Sequence, residues 1–421
     1  MGKIIIMLSL SMALLVFISE VDVKVEAIKT LSEVDRKLKL LNKPAVKSIK
    51  SEDGDIIDCV DIYKQPAFDH PKLRNHKIQM RPSITFATET SSTINESYPV
   101  LSQTWQKSGS CPKGTIPIRR IRRHELLSAD SLEHFGRDGP RTSSSFAVNT
   151  TNNKSSHFVD INSTKFLRIP NYSAAYLITT EGNYIGARGN INLWNPEVEY
   201  SDEYTTGQIW LTSGLVDNFE SIEAGWMVNP MFFGTTNVRL FVRWTRDGYQ
   251  TTGCINLACA GFVHTNSRIA LGATFNYISQ QHGSQWQINL RFDHDPSTGN
   301  WWLQFSDEVI GYWPAEILSY LKEKASIVAW GGEVYREHVW PDKPHTATAM
   351  GSGQFPSSGL FGNACYIASI RIVDDSIQVK YPDPVSYIVD EPNCYNALID
   401  QDDPENPFFY FGGPGLCANC Q

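Results

Sequence analysis

The sequence predicts an all-β protein, an antiparallel β-sandwich of jelly-roll type, preceded by a small mixed domain. Three observations predict this class. Trp286–Phe292 alternates apolar and polar residues without a fault, and Val238–Trp244 nearly so, as half-buried strands do. Asp295–Gly299 has turn chemistry and leads into Trp301–Phe305, which together indicate a hairpin. Beyond residue 165 short strand-like runs are many and helical spacing is rare, which favours two packed sheets.

The remaining elements follow from local patterns. Amphipathic spacing predicts a helix over Ile28–Lys50, and Glu52–Ser83 with Ser102–Arg123 indicates a small domain of short strands. One later segment, Ala315–Ala325, has helical spacing. Further strands are predicted at Tyr176–Ile178, Gly189–Trp194, Gln208–Ser213, Phe262–Thr265, Arg268–Phe275, Ile327–Tyr335, Tyr366–Val373 and Ile377–Lys380.

The N-terminus has the pattern of an exported protein. An apolar run from Ile4 to Ile18 is followed by small residues ending at Ala27, so we predict a signal peptide over residues 1–27. The run is shorter than the ~20 apolar residues of a membrane span. We therefore expect a secreted, extracellular product, with the vacuole as the alternative, that no longer contacts a membrane. Nothing in the composition indicates a nucleic-acid partner.

Eight cysteines in an exported chain favour disulfides over metal sites. Cys59 and Cys111, both in the N-terminal part, are candidates for one pair. Histidines lack the spacing of metal ligands, and we predict no metal and no cofactor. N-glycosylation sequons occur at five asparagines, four of them crowded into a polar stretch that we interpret as an exposed linker: Asn95, Asn149, Asn153, Asn162 and Asn171.

Charge is distributed unevenly along the chain. Residues 28–160 contain 21 Lys and Arg against 15 Asp and Glu, whereas residues 161–421 contain 14 against 27. The basic run of residues 119–123 is interpreted as a strand end facing an acidic partner. We hypothesise that opposite charge holds the two parts together at neutral pH and weakens as carboxylates take up protons in acid.

Two glutamates have the pattern of a paired site. In Ser221–Val228, strand alternation places Glu223 opposite the apolar row that includes Trp226. In the stretch from Trp330 to Tyr335, it places Glu333 on the face of Tyr335 and leaves Trp330 behind. Each glutamate has a glycine two positions away on its own face, which leaves room for another backbone such as a bound peptide or glycan.

Seven phrases in this order resemble the plant neprosin family. They are Glu-Ala-Gly-Trp at 223–226, Thr-Gly-Cys-Ile-Asn-Leu-Ala-Cys-Ala-Gly-Phe-Val at 252–263, Gly-Asn-Trp-Trp-Leu-Gln-Phe at 299–305, Gly-Tyr-Trp-Pro-Ala at 311–315, Trp-Gly-Gly-Glu at 330–333, Met-Gly-Ser-Gly at 350–353 and Phe-Gly-Gly-Pro-Gly at 411–415. Residues 52–83 are similar to that family's activation peptide. The resemblance implies a propeptide over 28–160, ending in the glycosylated linker, and a peptidase domain over 161–421.

The resemblance also implies an activity. It implies a glutamic endopeptidase zymogen with a concave active-site sheet, activated in acid, cleaving proline-rich substrates after proline, and inhibited by its own propeptide. Glu223 and Glu333 would be the catalytic pair, and we assign substrate binding to Trp226, Trp330 and Tyr335. The implied disulfides join Cys254 to Cys259 and Cys394 to either Cys417 or Cys420, which leaves Cys365 without an assigned partner.

Two other functions fit the same pattern. A glycoside hydrolase also uses two carboxylates, about 5–9.5 Å apart. A carbohydrate-binding wall protein would keep the sandwich and its aromatic residues without turnover. The motifs of serine, zinc and aspartic peptidases are missing from the sequence.

Overall fold

The computed structural model describes residues 31–83, 101–129, 131–133, 135–137, 171–180, 182–215, 218–336 and 345–420. The predicted signal peptide and the sequons at Asn95, Asn149, Asn153 and Asn162 lie outside these residues. Asn171 is described, and it is half-buried at the start of a strand. Within the described parts, no helix has the length and apolar character needed to cross a membrane.

One sheet has seven strands, all antiparallel to their neighbours. Numbered along the chain and given in spatial order, they are β17 (Ser386–Val389), β4 (Tyr172–Thr179), β14 (Ile327–Tyr335), β6 (Tyr204–Leu215), β7 (Asn218–Val228), β8 (Arg239–Thr245) and β9 (Cys254–Ile255). The predicted strand at Ile327–Tyr335 has the same bounds as β14, and the prediction at Gln208–Ser213 covers the middle of β6.

The second sheet has nine strands. In spatial order they are β10 (Val263–His264), β13 (Glu308–Trp313), β12 (Asn300–Phe305), β11 (Gln287–Asp295), β5 (Tyr184–Asn192), β15 (Cys365–Asp374), β19 (Phe408–Gly412) and β18 (Asn396–Asp400), with β16 (Val379–Lys380) paired to β15. The expected hairpin joins β11 to β12 in antiparallel register. Gly299 in its turn has φ +74°, a left-handed conformation that glycine adopts without strain.

The two sheets pack face to face around one apolar core. Alternate residues of both sheets enter it, among them Ile209 and Ala224 of the first and Leu290, Phe292 and Ile367 of the second, all fully buried. This is the arrangement of a β-sandwich, in which inward side chains of each strand form the core and the others face away. The predicted all-β antiparallel sandwich is confirmed.

The N-terminal part carries a third, small sheet. It has the order β1 (Ala45–Lys50), β2 (Ile56–Asp61) and β3 (Thr115–Arg119), and Cys59 is joined to Cys111. Residues 31–41 are helical, but the predicted helix over Ile28–Lys50 is wrong beyond them. Pro44 removes a backbone donor and disfavours helix in the residue before it, so the chain leaves the helix and enters β1.

The other helices in the part of the chain that the structure describes are short. They are the α-helices Arg123–Leu127 and Pro230–Phe233 and the 3-10 helices Ile62–Lys64, Pro66–Asp69, Pro71–Leu73, Thr104–Ser108, Ala315–Ile317 and Pro356–Ser358. The helix predicted over Ala315–Ala325 is therefore wrong after its first turn. The carboxylate of Glu220 accepts the backbone N–H groups of residues 319–321 at 2.7–2.8 Å, which removes them from any helical pattern.

The predicted strand over Arg268–Phe275 is also wrong. Only isolated bridges occur there, and two of them pair the segment with Gln103 and Ile118 of the N-terminal part. The side chain of Asn266 accepts the N–H groups of Arg268 and Ile269 and so turns the chain at its start. Ile269 and Leu271 pack in the main core, whereas Ala270 and Ala273 pack against the N-terminal part.

The basic run at residues 119–123 finds its acidic partners mostly within the N-terminal part. Arg119 pairs with Glu125, and Arg120 pairs with Asp58 at 2.6 Å. Across to the sandwich the signs are reversed, because Asp55 pairs with Arg239 of β8. Burial, then the nearby Arg119, lowers the pKa of Arg239, and Asp55 opposes this. This ion pair is thus opposite in sign to the net charges of the two parts.

Two disulfides lie in the sandwich part. Cys254 is joined to Cys259, and Cys394 to Cys420, with Cα atoms 5.7 and 4.9 Å apart. The expected alternative disulfide between Cys394 and Cys417 is wrong. The thiol of Cys417 is free, and its sulfur lies 3.4 Å from the carbonyl oxygen of Asn393. Cys365 is also free, and burial raises the pKa of its thiol.

Candidate active site

Glu223 and Glu333 lie on the same face of the same sheet, on the two strands that flank β6. Glu223 of β7 is opposite Trp210, and Glu333 of β14 is opposite Thr206. The residues next to the glutamates in sequence are Ile222, Ala224 and Val334. They point into the sandwich core, so both carboxylates point away from it. Their exposed fractions are 1% and 6%.

Neutral donors surround the carboxylate of Glu223. The hydroxyl groups of Ser221 and Tyr249 donate to its Oε1 at 2.9 and 2.7 Å, and the amide of Gln208 donates to Oε2 at 3.1 Å. Ser221 comes from the same strand, two residues earlier, and so shares its face. Three such donors fix the orientation of a buried carboxyl group.

One arginine links the two glutamates. The Nε of Arg243 on β8 lies 3.7 Å from Glu223, and its Nη1 lies 3.7 Å from Glu333. The guanidinium is fully buried and lies over the ring of Tyr204, whose hydroxyl donates to Glu333 at 3.1 Å. One buried positive charge is thus shared by the two carboxyl groups.

Gln208 of β6 stands between the two glutamates. Its partners in the register are Gly225 on one side and Gly331 on the other, and each glutamate is two residues beyond its glycine, in opposite directions. A Cβ at Gly225 would lie 2.1 Å from the Gly207 carbonyl oxygen. The space beside the glutamates is therefore occupied by neighbouring strands of the same sheet, and the glycines do not need a bound ligand to explain them.

The structure overturns two of the three predicted substrate-binding residues. Trp226 and Trp330 are fully buried in the core between the sheets, and their indole N–H groups donate to the carbonyl oxygens of Asn192 and Arg188 at 2.9 Å. They lie on the opposite face of the sheet from the glutamates, as strand alternation requires, so their assignment to substrate binding is wrong. Tyr335 lies on the glutamate face and is half-buried.

Other aromatic side chains occupy the glutamate face. Tyr335 stacks on Tyr204 with ring centroids 5.2 Å apart, next to Glu333. Tyr176 and Trp210 form a second pair with centroids 6.1 Å apart. Burial, followed by the negative charges of Asp390 and Glu333, raises the pKa of Tyr176 well above its ordinary value. The carboxyl pair thus has aromatic rings near both of its members.

Among the described residues, one group of three side chains lies close enough together to hold a metal ion, but its chemistry does not suit metal binding. The donor atoms of His345, Cys394 and Cys420 lie within 4.8 Å of one another. Because the two cysteines are joined in a disulfide, neither offers a thiolate to a metal. His345 lies 2.7 Å from Glu391, which also binds Arg336, so the histidine belongs to an internal ion cluster.

Comparison with known proteins gives the family. The neprosin family model matches residues 201–414, and the model of the neprosin activation peptide matches residues 48–161. The chain belongs to the neprosin family. With that family's activation peptide ahead of its sandwich, it is a peptidase zymogen.

Solved structures with a similar arrangement are distant. Two crystal structures of scytalido-glutamic peptidase, each with a transition-state analogue, match with TM-scores of 0.31 and 0.30 and identities of 9% and 10%. The two matches cover 58% and 57% of this chain and 98% and 97% of the respective peptidase chains. CG-16, a homodimeric agglutinin from chicken liver, matches at 8% identity with TM-score 0.21, over 39% of this chain and 96% of that one.

The activation peptide of this neprosin-family chain packs on the glutamate face. Ile121, Leu126 and Phe135 form one buried cluster with Met227 and Phe241, which share the faces of Glu223 and Arg243 on their strands. Tyr204 belongs to the same cluster, as does Val34 of the preceding helical segment. The activation peptide therefore covers β7 and β8 on the face that carries Glu223 and Arg243.

A second contact holds the activation peptide at the hairpin of β11 and β12. The carboxylate of Asp295 accepts the side chain and the N–H of Ser83 and the amide of Gln79. Burial acts against ionisation here, but these hydrogen bonds outweigh it and lower the pKa of Asp295 to about 2. His76 adds an interaction with Glu316 at 2.9 Å.

Sequence reasoning missed the residues that complete the site. Gln208 and Tyr204 lie on β6, Arg243 on β8 and Tyr249 on a loop, and none adjoins a glutamate in sequence. One signal was present: in the β8 pattern, Arg243 alternates with apolar residues that enter the core. A charged residue on a strand next to a glutamate-bearing strand is a candidate for pairing with it.

Proposed function

We propose that this protein is a secreted glutamic endopeptidase, made as a zymogen and activated in acid, that hydrolyses peptide bonds preferentially after proline. One observation carries the proposal: Glu223 and Glu333 share one face of one sheet and one buried arginine, with Gln208 between them. Family membership supports peptide hydrolysis, and the predicted signal peptide supports secretion.

The chemistry requires one ionised and one protonated glutamate. The ionised member takes a proton from a water molecule as the water oxygen attacks the scissile carbonyl carbon. The protonated member donates a hydrogen bond to the developing oxyanion and then its proton to the amide nitrogen, so the C–N bond breaks. The products are a carboxylic acid and an amine. Returning the proton from the first glutamate to the second restores the pair.

Preference for proline is supported by the rings on the glutamate face. The pyrrolidine ring is compact and apolar, and aromatic faces are suitable surfaces for it. Tyr335, which is half-buried, and the Tyr176–Trp210 pair are the candidates to line such a subsite. Cleavage in acid is supported by the requirement that one carboxyl group of the pair keep its proton.

The test is hydrolysis of a proline-containing fluorogenic peptide at about pH 3 after acid incubation of the full-length protein. We expect Glu223→Gln and Glu333→Gln each to lower kcat by about 10²–10⁴, the range for loss of a general acid or base. The control is Glu405→Gln, which should retain activity. Glu405 is an exposed residue on the loop between β18 and β19. Full activity in both site variants, or release of sugar from polysaccharide without peptide cleavage, would contradict the proposal.

A further inference from the structure

We propose that Gln208 is a third catalytic residue, which binds the attacking water molecule between the two glutamates. The inference rests on the proposed peptidase function and adds a residue to its machinery. It is drawn from the position of Gln208, from one hydrogen bond that it makes and from one that it does not make.

Gln208 has a central position in the site. Gln208 lies on the strand between the two glutamate-bearing strands, and the register places a glycine on each side of it. Glu223 and Glu333 are then its diagonal neighbours, a relation of about 7–8 Å in antiparallel pairs. The two glycines add no side chain between the amide and either carboxylate. Gln208 is fully buried in the zymogen.

The two ends of the Gln208 amide have different surroundings. Its Nε2 donates to Oε2 of Glu223 at 3.1 Å. Its Oε1 is buried and accepts no hydrogen bond from any residue that the structure describes. A buried carbonyl oxygen without a donor is costly, and such atoms in native proteins are usually satisfied by an ordered water or by a ligand. The amide oxygen therefore indicates a place for a small donor beside the carboxyl pair.

Water fits this place and the chemistry. A water molecule has two hydrogens: one is directed to the carboxylate that acts as base, and Gln208 Oε1 accepts the other. Both hydrogens are then engaged, and a lone pair of the water oxygen is free to attack the scissile carbonyl carbon. Because an amide takes no proton at acid pH, Gln208 orients the water without competing with the base, and orientation of a reactant lowers the barrier.

A kinetic test uses the acid-activated full-length protein. Gln208→Met keeps the length of the side chain and removes both hydrogen-bonding groups. We expect kcat to fall about 100-fold, as for loss of one polar group at a reacting centre, while KM stays within about threefold. The matched control is Gln304→Met, a buried glutamine on β12 of the other sheet, which should leave both constants near wild type. Thermal unfolding verifies that each variant is folded.

A second variant separates water binding from a spacing role. Gln208→Glu, when protonated, again offers one donor and one acceptor, but when ionised it adds a third carboxylate to the site. We expect its activity to approach wild type at the lowest pH and its alkaline limb to lie at lower pH than that of the wild type. If Gln208→Met does not fold, this pH profile decides the question.

Two results would overturn the inference: Gln208→Met with kcat within threefold of wild type, or a Gln208→Glu profile that superimposes on the wild-type profile. Failure of the proposed function gives a different pattern, because wild type would then be inactive on every peptide, or Glu223→Gln and Glu333→Gln would be as active as wild type.

Discussion

At the scale of single residues, the site depends on the charge of Arg243. Its guanidinium is the one described cation that an ion pair joins to both Glu223 and Glu333, and it has no exposed surface. Without it, two buried carboxyl groups would face each other with no compensating charge. Removing one partner of such a buried group typically costs about 3–5 kcal/mol.

We therefore expect Arg243→Met to lose activity at least about 100-fold and to unfold at a lower temperature than wild type. The control is Arg291→Met, which breaks the pair with Asp293 at 2.5 Å on the other sheet. That variant should lose stability and keep kcat. Steady-state kinetics and calorimetry measure the two effects. An Arg243→Met enzyme with wild-type kcat would show that its charge has no part in turnover.

At the scale of elements, β6 and its glycine neighbours set the spacing of the site. The Cβ of an alanine at position 225 would lie 2.1 Å from the Gly207 carbonyl oxygen and 2.7 Å from the Gln208 Cα. Strands β6 and β7 would have to move apart, and overpacking of this kind costs about 1–3 kcal/mol. We expect Gly225→Ala to lower both stability and kcat, since Gln208 moves with its strand.

The control for that experiment is Gly283→Ala, in the exposed loop that leads into β11 of the second sheet. It should leave kcat unchanged. Denaturant unfolding reports stability and peptide cleavage reports activity. If Gly225→Ala loses stability and retains full kcat, the strand spacing matters for folding alone.

The elements also show what the sequence could predict. Period-two alternation gave the strands and placed both glutamates away from the core, because each strand carries that pattern within itself. It did not predict Gln208 or Arg243 as their partners, since the spatial order β14, β6, β7, β8 is not local information. The helix expected over Ala315–Ala325 failed for the same reason: Glu220, about 100 positions earlier, captures its N–H groups.

At the scale of the whole molecule, the activation peptide is held to the sandwich by a pH-sensitive contact. Hydrogen bonds from Ser83 and Gln79 hold the pKa of Asp295 at about 2, below its ordinary value of 3.8. A carboxyl group whose pKa is lowered in the folded state stabilises that state above its ordinary pKa. This contribution is lost as the pH falls from about 4 through 2, so this contact of the activation peptide weakens in acid.

The consequence can be measured in a full-length Glu223→Gln background, where we expect no self-cleavage. Amide hydrogen exchange of residues 76–83, corrected for the intrinsic pH dependence of exchange, should speed up between pH 4 and pH 2. Adding Asp295→Asn should make exchange of this segment faster at pH 6 and nearly independent of pH below it, because the ionisable acceptor is gone. Asp307→Asn, on the turn before β13, is the control and should behave like the parent. If the parent's segment stays equally protected at pH 2 and pH 6, the Asp295 contact does not weaken in acid and the prediction is wrong.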